Sequence, residues 1–160
     1  MSMEQILVAK PPENSEPTPS AAKGMRADAR RNREKLLEVA AAVFSERGIE
    51  GSLEDIARRA GVGIGTLYRH FPTREHLVEV VYRREVESLC AAAGELSLSH
   101  APDVALEEWM QRFVGYIAAK RGMANSLRML VNTNSELFAE SSGMVSVALR
   151  NLVEAAAHPS

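Results

Sequence analysis

The sequence predicts an all-α fold. Three observations carry the prediction. Apolar residues recur at i, i+3, i+4 and i+7 over most of the chain, no stretch alternates apolar and polar residues as a half-buried strand does, and no internal repeat is present. At 160 residues, 46% hydrophobic and 25% charged, the chain has the composition of an ordinary globular protein able to bury a core without staples.

Residues 1–22 precede the first periodic segment. Four prolines among small and polar side chains between Pro11 and Ala22 offer too little apolar area to offset ordering entropy, so 1–22 is read as a flexible tail. A first helix is expected from about Arg26 to Arg47, with Leu37, Ala40, Ala41 and Phe44 on one face and Gly48 as its left-handed stop. Ser52 then offers an N-cap, with Asp55 three residues on in a variant of the capping box, to a short helix carrying Leu53, Ile56, Ala57 and Ala60 and ending at Gly61. After the turn Gly61-Val62-Gly63, the residues Ile64, Leu67, Tyr68 and Phe71 define a third helix, stopped by Pro72. Thr73 caps a long fourth helix running to Gly94 or beyond, on which Val78, Tyr82, Val86 and Leu89 share a face. Ser97 to Pro102 break the pattern, and Asp103 precedes a fifth helix with Leu106, Trp109, Met110, Phe113 and Ile117 on a stripe and Gly122 at its end. Residues 123–138 read as a short helix and a connection around Asn132, Thr133 and Asn134, and a last helix is expected from about Ser142 to Ala157.

The net charge of -2 is unevenly distributed. Residues 23–35 hold six Lys or Arg against two acidic residues, whereas 1–22 and 91–160 are each net acidic by two. Arg30, Arg31, Arg33 and Lys35 fit a solvated helix face, but cations near a helix N-terminus oppose its dipole, which suggests a use for them in holding phosphate. A lone Cys90 excludes an internal disulfide and suits a reducing compartment, and its simplest role is a small buried hydrophobe. No segment has the length of a membrane span and the apolar run Ile6-Leu7-Val8-Ala9 is too short for a signal sequence, so a cytoplasmic location is expected. The four histidines have no metal spacing on one helix face, and neither a cofactor nor a metal is expected. No nucleophile with a base at motif spacing, Gly-rich phosphate loop after a strand, or isolated carboxylate pair points to an enzyme.

Two short helices joined by a glycine-containing turn and braced by a preceding amphipathic helix compose a helix-turn-helix, whose second helix enters the DNA major groove. Its entering end must be small and polar, as Gly63, Gly65 and Thr66 are. The run from Leu53-Glu54-Asp55-Ile56-Ala57 through Gly65-Thr66-Leu67-Tyr68-Arg69-His70-Phe71-Pro72 to Leu77 resembles the signature of the TetR (tetracycline-repressor-like) regulators, and Ala40 to Gly48 is similar to that family's first helix. The resemblance covers residues 26–85 or so. It implies a homodimer that reads a palindromic operator in double-stranded DNA and, in most members, lets go when a small-molecule effector binds the C-terminal helices.

Carried over by position, the resemblance places Thr66 and Tyr68 at base edges or phosphates, Thr73 and Arg74 at the DNA backbone, and Ser52 at a phosphate, with Arg69 and His70 as further contacts. Arg30 joins them from the basic arm, and Gly63, Ile64 and Gly65 from the start of the recognition helix. Gly63 stands where the family has Ser or Ala. Ile64 replaces a polar or basic position and fits either the apolar stripe or a thymine methyl. The implied domains are 23–72 for DNA binding and 73–160 for ligand binding and dimerisation, the latter shortened relative to a family that continues into one or two dimer-forming helices. Trp109, Phe113, Tyr116, Met129 and Met144 fit either a core stripe or the lining of an apolar effector pocket. A protein-interaction module that has kept this fold and lost its operator is the alternative function.

Overall fold

The computed structural model describes residues 19–48 and 51–158, and among them forms seven α-helices and no strand. They are α1 (Pro19–Arg47), α2 (Leu53–Ala60), α3 (Ile64–His70), α4 (Arg74–Ser99), α5 (Pro102–Gly122), α6 (Ala124–Thr133) and α7 (Ser135–Ala157). The expected tail lies outside the described residues over 1–18.

Three helix boundaries differ from the sequence expectation. Helix α1 begins at Pro19 and not near Arg26. A proline in the first turn gives up an N–H that has no intrahelical partner anyway, and Ala21 and Ala22 then propagate the helix well. Helix α4 runs on to Ser99 through the expected break, because Ser97 and Ser99 donate their hydroxyls to the carbonyls of Ala93 and Glu95 at 2.8 and 2.9 Å and so spend their polarity within the helix. Helix α7 starts at Ser135, seven residues before the expected Ser142, since Asn134 Oδ1 accepts from the Leu137 N–H at 3.3 Å and supplies the cap.

Among the described residues, 19–31 belong to one unit, in which Arg31 pairs with Asp28. The unit from Asn32 onward carries the core. Leu36, Leu37, Ala40, Val43 and Phe44 of α1 are buried, as are Ile56 and Ala57 of α2 and Leu67 of α3. Helix α4 extends this core through Leu77, Val78 and Val81 and then packs against α5, α6 and α7 around Tyr82, Val86, Leu89 and Trp109. The Trp109 indole N–H donates to the Leu89 carbonyl at 2.9 Å, which satisfies the one polar group of the largest buried side chain. At the end of α5, Gly122 lies directly on the α1 backbone. A Cβ there would stand 2.0 Å from the Phe44 carbonyl oxygen, so the approach is open only to glycine.

Candidate nucleic-acid interface

Each helix of the α2–α3 pair is positioned by its own caps. Ser52 Oγ accepts from the Asp55 N–H at 3.1 Å to start α2. Gly61, at φ 73°, ends it: its N–H reaches the Arg58 carbonyl at 3.1 Å while that of Val62 reaches Ala57 at 3.0 Å, the paired closure of a Schellman motif. Helix α3 begins at Gly63 with no side-chain cap, which leaves its first N–H groups pointing outward. Thr73 Oγ1 accepts from the His76 N–H at 3.0 Å and starts α4. The residues expected to cap, Ser52 and Thr73, therefore do so, and Gly63 opens its helix bare.

Helix α3 buries Leu67 and turns the rest outward. Ile64 and Tyr68 are 39% and 43% exposed, so Ile64 leaves the core stripe on which the sequence also allowed it. Gly63, Gly65 and Arg69 are exposed beside them, and Thr66 and His70 are half-buried. Arg69 Nη2 lies 3.5 Å from Thr66 Oγ1, one turn back on the same face. Arg30 belongs to the unit ending at Arg31 and is exposed there.

Ion pairing separates the cations of this region. Asp55 takes both Arg58 and, at 3.3 Å, Arg47, while Arg59 pairs with Glu46 at 2.8 Å. Arg84 pairs with Glu34. Arg33 stands over the Phe71 ring at 5.0 Å from its centroid. Arg74, which the resemblance placed on phosphate, turns inward: its Nη1 donates to the Gly51 carbonyl at 2.7 Å and its guanidinium lies 5.2 Å from the centre of the Phe44 ring. It ties the start of α4 to the loop before α2. Sequence spacing could not show this, because Gly51 is 23 residues away.

The five residues singled out for an effector pocket are spread through the helical part. Trp109, Phe113 and Tyr116 form a run of ring contacts along α5, continued by Tyr82 and Phe138. Tyr116 also faces a cleft between α1, α4 and α5 that holds Glu85 and Arg112. Burial, then a hydrogen bond with Tyr82, holds its hydroxyl pKa far above the usual value, so it stays a neutral donor. Burial likewise raises the Glu85 carboxyl against the opposing pull of Arg84, and it raises the Cys90 thiol, which disfavours a reactive thiolate. Met144 lines a separate apolar groove of about 650 Å³ between α4 and α7, and Met129 is exposed on α6.

The profile of the bacterial regulatory proteins of the tetR family matches residues 36–81, the segment just described. A TetR transcriptional regulator from Streptomyces coelicolor is 47% identical, with 78% of this chain and 71% of that one superposed at a TM-score of 0.68. The chain belongs to the TetR family of transcriptional regulators. A second family structure, from Mycobacterium vanbaalenii, is 35% identical over 79% of this chain and 80% of that one, with a TM-score of 0.58. An HTH-type transcriptional regulator of Staphylococcus aureus (strain USA300) is 42% identical over 64 residues, 39% of this chain. That match spans 35% of the curated relative's length. Helices α2 and α3 are thus the DNA-binding helix-turn-helix of a TetR regulator, followed by a helical domain as in its structural neighbours. No described helix is long and apolar enough to cross a membrane.

Proposed function

We propose that this TetR-family chain is a repressor that binds a palindromic operator as a homodimer and leaves it when a small molecule occupies its C-terminal helices. The observation that carries the reading is the outward face of α3, where Ile64, Gly65, Tyr68 and Arg69 are all exposed at the end of a helix opened by an uncapped glycine. A helix laid in the major groove meets phosphate with its free N–H groups and base edges with its first side chains. In this reading Thr66 and Ile64 read bases, Ile64 through a thymine methyl. Tyr68, Arg69, His70, Ser52 and Thr73 fix the module on phosphates, helped by Arg30 from the basic arm. Arg74 acts through the Gly51 carbonyl it holds, by setting the loop that presents Ser52. Residues 23–72 serve as the DNA-binding domain and 73–160 as the regulatory one, with no catalytic step.

The test is fluorescence anisotropy of the chain on the duplex upstream of its own coding region and on a scrambled duplex, over a salt series, with mass measured on the same sample. Tighter binding to the native duplex by a species of twice the chain mass is expected, with an affinity that falls as salt rises. Thr66→Ala should alter the ranking of duplex sequences as well as affinity. Equal binding to both duplexes, or a monomer in the specific complex, would refute the reading.

A further inference from the structure

A cleft of about 400 Å³ opens between α5, α6 and α7, outside every residue assigned so far. Its floor is apolar, made by Ile117, Leu127, Val131 and Phe138. Its rim is cationic, made by Lys120, Arg121 and Arg128, with no acidic residue in the lining. None of the three has an acidic partner among the described residues, although six other arginines of the chain do. The sequence shows the same asymmetry. From Trp109 to Ser135 it places Arg112, Lys120, Arg121 and Arg128 and not one Asp or Glu.

The dipole of α5 accounts for Lys120 and Arg121, which sit in its last turn. It does not account for Arg128, in the middle of α6, where a cation gains nothing from the helix end. An apolar floor beneath three unpaired cations has a specific complement: a molecule with an apolar body and an anionic head. We infer that this cleft binds an amphipathic monoanion, an aliphatic or aromatic carboxylate whose body lies on Phe138 and Leu127 and whose head is held by Arg121 and Arg128. As the effector site it rests on the function proposed above. The next residue after Arg121 is Gly122, seated on the Phe44 backbone, and the Phe44 ring carries Arg74 and through it the loop before α2. A ligand pulling on Arg121 therefore acts one residue from the contact between α5 and α1, the helix whose Phe44 ring carries Arg74.

Calorimetric titration of the whole chain, without DNA, with decanoate, decanol and decylammonium tests the site. Saturable binding of decanoate is expected, with decanol weaker and decylammonium weaker still. The double substitution Arg121→Ala, Arg128→Ala should weaken decanoate about tenfold or more and leave decanol unchanged, since both side chains are exposed and the fold does not depend on them. Arg112→Ala, on α5 outside this cleft, should change neither. Indifference of decanoate to the double substitution, equal binding of all three probes, or no binding of decanoate together with loss of duplex binding in the double variant, which would assign the patch to DNA, each overturns the inference. Release of the wild-type chain from its duplex by decanoate, absent in the double variant, supports the effector role. Saturable decanoate binding that leaves the duplex complex intact supports the site and refutes effector control by it.

Discussion

Replacing Gly122 by alanine tests whether the seam between α5 and α1 is as close as the structure has it. A Cβ at this position would lie 2.0 Å from the Phe44 carbonyl oxygen, 2.5 Å from its carbon and 2.8 Å from its Cα. The closest ordinary carbon–oxygen contacts are about 3.3 Å, so two helix backbones would have to separate by roughly 1.3 Å. Neither is a flexible side chain that can swing away. Overpacking of this kind costs about 1–3 kcal/mol, and a backbone-to-backbone clash belongs at the upper end. Opposing it, Gly→Ala in a helix interior gains up to about 1 kcal/mol, and less at a terminal residue such as 122. The net expectation is a loss of about 2–3 kcal/mol, or about 4–12 °C in Tm for a chain of this size. Gly115→Ala supplies the control within the same helix, because nothing lies within 4 Å of a Cβ there. It should raise stability by about 0.5–1 kcal/mol. Urea and thermal unfolding followed by circular dichroism would measure both. Shifts of the same sign in the two variants would refute the close approach.

Three further outcomes follow from single contacts. Trp109→Phe should cost about 1–3 kcal/mol in urea unfolding, because it removes the buried N–H bond to Leu89 and opens a void beside Phe113; an unchanged midpoint would show that the bond contributes nothing. Arg74→Ala should lower stability as well as duplex affinity, by freeing the Gly51 carbonyl and uncovering the Phe44 ring, whereas Arg69→Ala should lower affinity alone; loss of affinity with full stability in both would place Arg74 on phosphate after all. Glu85 has a folded-state pKa above its unfolded one, so the folded chain binds the proton more tightly and stability falls as pH rises from the ordinary Glu value through the raised one. Glu85→Gln should therefore be more stable than the parent at neutral pH and equal to it below the ordinary carboxyl range, and a difference independent of pH would refute burial as the cause.

The helix-turn-helix was legible in the chain because its determinants are local. Ser52 and Thr73 cap whatever follows them, Gly61 closes α2 with a left-handed residue that few side chains adopt, and the spacing of Ile56, Ala57 and Leu67 selects the buried face. Local signals also misled at helix ends. The two serines between Ser97 and Pro102 read as a break, yet both donate to carbonyls one turn back and stay within α4.

The all-α class, the order of the first five helices, the family and the short-range caps were determined by sequence alone, since each depends on residues within a few positions of one another. Tertiary structure alone decided where Arg74 and Arg121 lie. Arg74 is drawn to a carbonyl 23 residues back, and Arg121 joins Arg128 above an apolar floor supplied in part by α7. It also decided that Gly122 is a contact rather than merely a stop: its φ is not positive, so nothing in its own backbone demands glycine, and the requirement comes wholly from the helix lying against it.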